Sequence, residues 1–300
     1  MSAPARPART RDPDALWRWA ALSPALLLML ALGLLPVLNL VMLGFFEVHW
    51  SDGRSDYRFV GLSHYAALAT DPLFGSAILN TIVFALGAVA GQMSLGFALA
   101  LLCSKATRGH ALWRALFILP VLIPGIVIGA MWKLMMNPDF GAIAQLLELV
   151  GLPPVDWLGD PRLALISVIL VDVWHWTPFC FLLFLAGLES LPRDVYEAAK
   201  VDGAGAWQEL RYVTLPLMWP TIAVTFVFRL VLAFKVFDEV YLLTGGGPGT
   251  ATEVVSFTIY LRFFTQDRAG YGAAMSVAMI FLIFLMLAAA AAARRRVQPA

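Results

Sequence analysis

Charged side chains are scarce in this chain, and their scarcity excludes a great deal. Only 14% of its 300 residues are Asp, Glu, Lys or Arg, 60% are hydrophobic, and the mean hydropathy is +0.78. A soluble domain is roughly a quarter charged. Cysteine is nearly absent. Cys103 and Cys180 both lie in apolar runs, without a CxxC or Cys/His spacing. No disulfide framework or metal site is expected, and both read as small buried hydrophobes. The phosphate-cradling pattern GxxxxGK[ST] is missing. The one glycine-rich run, Gly245-Gly246-Gly247-Pro248-Gly249-Thr250, lacks its lysine. This chain is therefore not expected to bind or hydrolyse ATP or to carry a cofactor. There is no HExxH, and Gly91-Gln92-Met93-Ser94-Leu95-Gly96 misses the spacing of a GxSxG elbow. A membrane-embedded enzyme lacks its constellation here. A net charge of +1 gives no footing for nucleic acid.

What the sequence has in abundance is long apolar runs. About 20 apolar residues cross the hydrocarbon core of a bilayer. Six such runs are present, at about 19–46, 77–103, 115–136, 163–188, 217–243 and 271–293. The expected fold class is an all-α membrane protein whose single domain, residues 19–293, has six transmembrane helices. The first run is uncharged and too long for the apolar region of a signal peptide. Residues 1–18, with Arg6, Arg9, Arg11 and Arg18, read as a disordered tail, and residues 294–300 as a short basic one. Lys and Arg favour one side: those four, Lys105, Arg108 and Arg114, then Arg193, Lys200 and Arg211, then Arg294 to Arg296. Such a bias marks the cytoplasmic side and gives an N-in/C-in topology. Residues 47–76, 137–162 and 244–270 become external loops, the first with a short helix near 63–69 and the last with an amphipathic piece at 254–264. Pro120 and Pro124 predict a kinked third helix packed inside the bundle.

The cytoplasmic stretch 189–216 is polar yet reads as ordered. Pro192 suits the first turn of a helix. Val195, Ala198, Ala199 and Asp202 fall at i, i+3, i+4 and i+7, one narrow face of small residues. Gly203 and Gly205 end that helix and permit a sharp turn. A second short helix, about 206–212, precedes Leu215-Pro216. The stretch resembles the EAA loop of binding-protein-dependent ABC importer permeases. Glu197-Ala198-Ala199, Asp202-Gly203 and Val213-Thr214-Leu215-Pro216 stand in register, with Val213 where that family usually has Ile. The resemblance implies that Glu197, Ala198, Ala199, Asp202, Gly203, Leu215 and Pro216 form a coupling loop that docks into a cleft on a cytoplasmic ATPase.

Ionisable groups inside apolar runs are costly, and they pair or line cavities. Asp172 and Arg229 fall in the fourth and fifth runs, and Lys235, Asp238 and Glu239 lie toward the outer end of the fifth. Two readings follow. One is a set of ion pairs locking helices together. The other is a hydrated path for a polar solute, with Trp174, Trp176 and Phe179 offering flat faces to sugar C–H groups. His175 reads as a packed neutral histidine. Trp174-His175-Trp176-Thr177-Pro178-Phe179, Leu243-Thr244-Gly245-Gly246-Gly247-Pro248-Gly249 and Gly270-Tyr271-Gly272-Ala273-Ala274 are similar to the carbohydrate-importer branch, near the maltose-type first permease.

That resemblance implies a type I ABC importer permease fold working by alternating access in a bacterial or archaeal cell membrane. The partners it implies are membrane lipid, a second homologous permease, a dimeric ABC ATPase carrying ATP and Mg2+, and an extracytoplasmic solute-binding protein. Implied substrate contacts are Val121, Gly125, Asp172, Trp176, Phe179, Arg229, Ala233 and Val236. The implied cargo is a sugar or polyol, with glycerol 3-phosphate or another small polar solute as the alternative. A secondary transporter without an ATPase is the rival of another class. It would often carry inverted repeats, and none is visible.

Overall fold

The computed structural model describes residues 15–51, 54–104 and 110–297. The tail expected before residue 15, together with Lys105 and Arg108, lies outside the described residues, as do the side chains of Arg294, Arg295 and Arg296. Among the described residues, five helices are long and apolar enough to cross a membrane. They are α1 (Trp17–Leu43), α3 (Pro72–Ser104), α7 (Ala164–Glu189), α9 (Ala206–Ala233) and α12, which spans Ala269–Val297. A sixth span comes from a bent pair, α4 (His110–Ile118) with the tight turn Leu119–Leu122, followed by α5 (Gly125–Met135). Shorter elements join them: strands β1 (Phe46–Ser51) and β2 (Arg54–Phe59), and helices α2 (Ser63–Thr70), α6 (Ala142–Leu149), α8 (Arg193–Val201), α10 (Asp238–Leu243) and α11 (Val255–Tyr260).

Helices α3 and α7 form the spine. A bilayer gives no hydrophobic drive between helices, so small residues that let backbones approach are favoured at their contacts. Here a Cβ on Gly91 would sit 2.7 Å from Val173 Cγ2, and one on Gly96 would sit 2.7 Å from Cys180 Cβ and 2.9 Å from the Phe181 nitrogen. Ala85, Ala88 and Ala100 are fully buried along α3. Asp71 starts this helix: its Oδ1 accepts the Leu73 and Phe74 amides at 2.9 and 3.4 Å, with Pro72 in the first turn. Its Oδ2 accepts the Tyr271 hydroxyl at 2.6 Å, tying the first turn of α12 to α3. Burial pushes the Asp71 carboxyl up, but these hydrogen bonds and the nearby Arg262 outweigh it and hold it below its ordinary range. In contrast, no residue of the apolar stretch of α1 is buried within this chain. Only its second half, Leu35–Leu43, leans on α12.

Two expected spans are broken. The third is expected to be a kinked helix, but its halves meet at 98°. Ile123 is extended, as a residue before proline prefers, and Pro124 opens α5. The fifth, read as one run to Leu243, stops at Ala233 and resumes at Asp238. The intervening Phe234–Phe237 segment carries Lys235, and Asp238 and Glu239 fill the first turn of α10, where an acidic side chain suits the helix dipole. The two breaks lie together. Helix α10 packs on α5, where a Cβ on Gly129 would meet Leu242 Cβ at 2.7 Å and one on Gly125 would lie 3.0 Å from Asp238 Oδ2.

The segments 47–76 and 244–270 are more ordered than expected. The loop after α1 folds as an antiparallel hairpin in the register Phe46↔Phe59, Glu47↔Arg58, Val48↔Tyr57 and His49↔Asp56. Alternation puts the aromatic pair on one face and the charged pairs on the other. The glycine-rich run closes on itself: Thr252 Oγ1 donates to the Gly247 carbonyl at 2.7 Å, and Gly245, Gly246 and Gly249 hold positive φ. Asn80 of α3 donates to the carbonyls of Thr250 and Glu253, both at 3.0 Å. The piece read as amphipathic, 254–264, forms α11, and Val255, Phe257 and Thr258 are buried there.

Candidate functional site

Of the charges inside apolar runs, Asp172, Arg229 and Glu239 gather in one buried cluster, whereas Lys235 and Asp238 stay exposed. Helix α7 supplies Asp172, His175 and Trp176, α9 supplies Arg229, α3 supplies Gln92, and α10 supplies Glu239. Arg229 is 1% exposed and Asp172 3%. Arg229 Nε donates to Gln92 Oε1 at 2.8 Å, and its Nη2 lies 3.4 Å from Asp172 Oδ2. Gln92 Nε2 closes the triangle, donating to Asp172 Oδ2 at 2.6 Å and to the Asp172 carbonyl at 3.1 Å. The guanidinium carbon sits 4.5 Å from the centre of the Trp176 ring, a cation–π distance. Beside this, His175 Nδ1 lies 3.1 Å from Glu239 Oε1, both side chains buried. A charge pair in a low-dielectric interior persists only when its remaining hydrogen-bonding groups are satisfied, and Gln92 does that here.

The eight positions matched to substrate contacts fall into two groups. Val121, Gly125, Trp176 and Phe179 keep part of their surface. Asp172, Arg229, Ala233 and Val236 are buried in the packing of this chain itself, the last two in its main hydrophobic core. Phe179 stacks on Phe228 with ring centres 5.3 Å apart and meets the edge of Trp176 at 6.2 Å. Trp132 and Trp174 form a second edge-to-face pair at 5.5 Å. Gln92 belongs to the cluster although only its polarity within an apolar run marked it. Glu239 was legible as a charge, but its histidine partner was not. Among the described residues no group of three or more His, Cys, Asp and Glu is placed to hold a metal ion.

The segment 189–216 forms a second, separate feature. Pro192 is extended at the start of α8, and every residue of Arg193–Val201 is exposed or half-buried. Asp194 stands in the first turn and Lys200 in the last, both favourable to the helix dipole. The end of α8 is a Schellman turn. The Ala204 N–H reaches the Ala199 carbonyl at 2.9 Å, the Gly203 N–H reaches the Lys200 carbonyl at 3.1 Å, and Gly203 has φ +80°. Glu197, Ala198 and Asp202 are exposed, and Ala199 is half-buried.

After the turn, the structure corrects the expected short second helix. Residues Ala206–Ala233 are one 28-residue helix, with Leu215 and Pro216 inside it and both exposed. The wide turns of Glu209–Thr214, in which the Leu215 N–H reaches back to the Leu210 carbonyl, carry the helix into Pro216, which has no N–H to donate. The Tyr196 hydroxyl donates to Thr214 Oγ1 at 3.2 Å and pins α8 to this span. Ala206 to Arg229 is about 35 Å of continuous helix at 1.5 Å per residue, so one rod joins the exposed turn to the buried cluster.

With this geometry in hand, the comparisons with known proteins agree with one another. Residues 92–299 match the sequence profile of the family described as binding-protein-dependent transport system inner membrane component. The trehalose/maltose transport system permease protein MalF of Thermococcus litoralis is 36% identical over 75% of this chain and 76% of its own length. The sulfoquinovosyl glycerol transport system permease protein SmoG of Agrobacterium fabrum is 33% identical over 87% of this chain and 84% of its own. A chain in the crystal structure of a bacterial alginate ABC transporter, in complex with its alginate-bound periplasmic protein, superposes with TM-score 0.83. It is 25% identical and covers 95% of both chains. A chain of the MetNI methionine ABC transporter shares the fold alone, with TM-score 0.55 and 17% identity over 76% of this chain and 97% of its own.

Proposed function

Because this chain belongs to the family of binding-protein-dependent transport system inner membrane components, we propose that it is a permease subunit that moves a sugar or polyol across the cell membrane in step with ATP hydrolysis on a separate chain. The observation that carries the coupling is the exposed helix α8, closed by the Gly203 turn and joined to a rod that runs into the bundle. A partner ATPase that grips the small-residue face of Val195, Ala198, Ala199 and Asp202 moves α8. The Tyr196–Thr214 hydrogen bond and the short turn pass that motion to α9. Arg229 and Trp176 then shift with it. ATP and Mg2+ belong to the partner; this chain supplies one lever and half of a pathway completed by a second permease.

The substrate face follows from what remains accessible. Trp176 and Phe179 present apolar rings suited to sugar C–H groups, beside the broken third span at Val121 and Gly125. The Asp172–Arg229–Gln92 triangle stands behind and fixes the ring of Trp176. A carbohydrate or polyol cargo is supported by the named cargoes of the relatives, trehalose or maltose, sulfoquinovosyl glycerol and alginate. Arg229 is already taken up by Asp172 and Gln92, so a phosphate cargo such as glycerol 3-phosphate would have to rest on the exposed Lys235.

The test is co-purification of the tagged chain in mild detergent. A second permease and an ABC ATPase are expected in stoichiometric amounts, and a cognate binding protein loaded with sugar should stimulate ATP hydrolysis by the complex. A chain that purified alone and moved solute in liposomes without ATP would overturn this reading in favour of a secondary transporter.

A further inference from the structure

Helix α8 has a second face, directed at the ends of the spanning helices. At about 100° per residue, Arg193, Tyr196 and Lys200 lie together, roughly opposite the Val195/Ala198/Asp202 face. They line a half-open cavity of about 810 Å3 between α8 and the cytoplasmic ends of α3, α7 and α9. That volume falls within the range of roughly 300–1,000 Å3 typical of ligand pockets. Its lining is two-sided in chemistry. Leu101 and Leu102 from the last turns of α3, Leu188 and Leu191 at the end of α7, and Leu210 of α9 make an apolar wall. Leu102 is 71% exposed, with its side chain at the end of a membrane-crossing helix. Trp207, 69% exposed on the rim, is a residue type that settles at the headgroup level.

The polar side carries both signs, but only the cations are free. Glu189 is bound by Arg114, and Glu209 is also engaged. Arg193 and Lys200 have no hydrogen-bond or ion-pair partner among the described residues. An apolar wall at the ends of the spanning helices, two unpaired cations beside it and an aromatic rim match the two ends of one kind of molecule. We propose that this cavity holds the headgroup of an anionic phospholipid of the cytoplasmic leaflet, with its phosphate on Arg193 and Lys200 and its glycerol and upper chains along Leu101, Leu102 and Leu188. A free phosphate would use the cations but leave the leucine wall unexplained, which is why the lipid is the occupant. The bound lipid lies against the membrane side of α8 and braces the helix whose other face is exposed. The inference shares with the proposed function only the cytoplasmic placement of α8, and it needs neither the cargo nor the ATPase.

The test is native mass spectrometry of the full-length chain, with the subunits that accompany it, titrated with phosphatidylglycerol or phosphatidylcholine after delipidation. One high-affinity phosphatidylglycerol is expected. Each basic side chain near an anionic headgroup contributes about fivefold, so Arg193→Gln with Lys200→Gln should weaken that binding about twenty-five-fold. Both side chains are exposed, so the variant folds. The charge-conserving pair Arg193→Lys with Lys200→Arg should keep the lipid. Equal retention of phosphatidylglycerol by the wild type and the glutamine variant, or equal binding of phosphatidylcholine, would overturn the proposal. Displacement of the lipid by millimolar inorganic phosphate would overturn it too, in favour of a soluble-anion site. Loss of the lipid from a variant that still purifies with its ATPase would separate this inference from the coupling one.

Discussion

Gly203→Val is expected to abolish solute uptake while the chain continues to reach the membrane at close to wild-type amount. Gly203 holds φ +80° and delivers the two hydrogen bonds that end α8. A residue with a branched Cβ pays about 1–2 kcal/mol in the left-handed region, and a surface turn relieves that strain by unwinding. No neighbour lies within 4 Å of the position a Cβ would take, so the effect is purely one of backbone conformation. The spans keep their packing, because the main core contains no residue of α8. What is lost is the fixed angle between α8 and the rod behind it. Asparagine visits the left-handed region far more readily, so Gly203→Asn should retain most of the uptake. Transport and basal ATPase activity measured on both variants check this. Equal uptake by Gly203→Val and wild type would remove the turn from the coupling path.

The second large effect concerns the buried triangle. Arg229→Met leaves Asp172 buried with only Gln92 as a partner, and breaking a buried pair from one side costs about 3–5 kcal/mol. The chain should accumulate poorly, and its melting temperature in detergent should fall sharply. Adding Asp172→Leu removes the stranded charge, and replacing both partners of such a pair by apolar residues is often close to neutral. The double variant should therefore recover much of the lost stability. Uptake should stay low in it, because Trp176 loses the guanidinium that holds its ring. If Arg229→Met melted like the wild type and altered only transport, Arg229 would be a pathway residue with no structural share.

Much of this was legible in the sequence because membranes simplify the physics. A bilayer demands runs of a fixed length, and the loops between them carry the basic residues that orient the chain. The α8 helix and its glycine stop were legible because local chemistry decides them. The departures share a cause, since each depends on a neighbour or a compensating local feature. Pro216 looks like a boundary until the wide turns at Glu209–Thr214 are known. The fifth run looks continuous, although Lys235, Asp238 and Glu239 within eight residues of Ala233 were a warning. Its break becomes stable only because α10 finds Gly129 of α5 to lie on. The hairpin over Phe46–Phe59 carries a local signal in the sequence. Alternating residues on either side of Asp52-Gly53 are the strongest short hairpin pattern. Which charges pair was out of reach, because Gln92, Asp172 and Arg229 are brought together only by the packing of α3, α7 and α9.

The central claim is that α8 is the surface an ATPase grips, and its most direct test is a cross-link. The native cysteines Cys103 and Cys180 are buried, so a single introduced thiol gives a clean signal. In the purified complex, Ala198→Cys is expected to form an adduct with a cysteine placed on the facing ATPase cleft. Arg193→Cys, on the opposite face of the same helix, is expected to form none. An actively transporting complex in which Ala198→Cys never reaches the ATPase, or reacts no better than Arg193→Cys, would contradict the account.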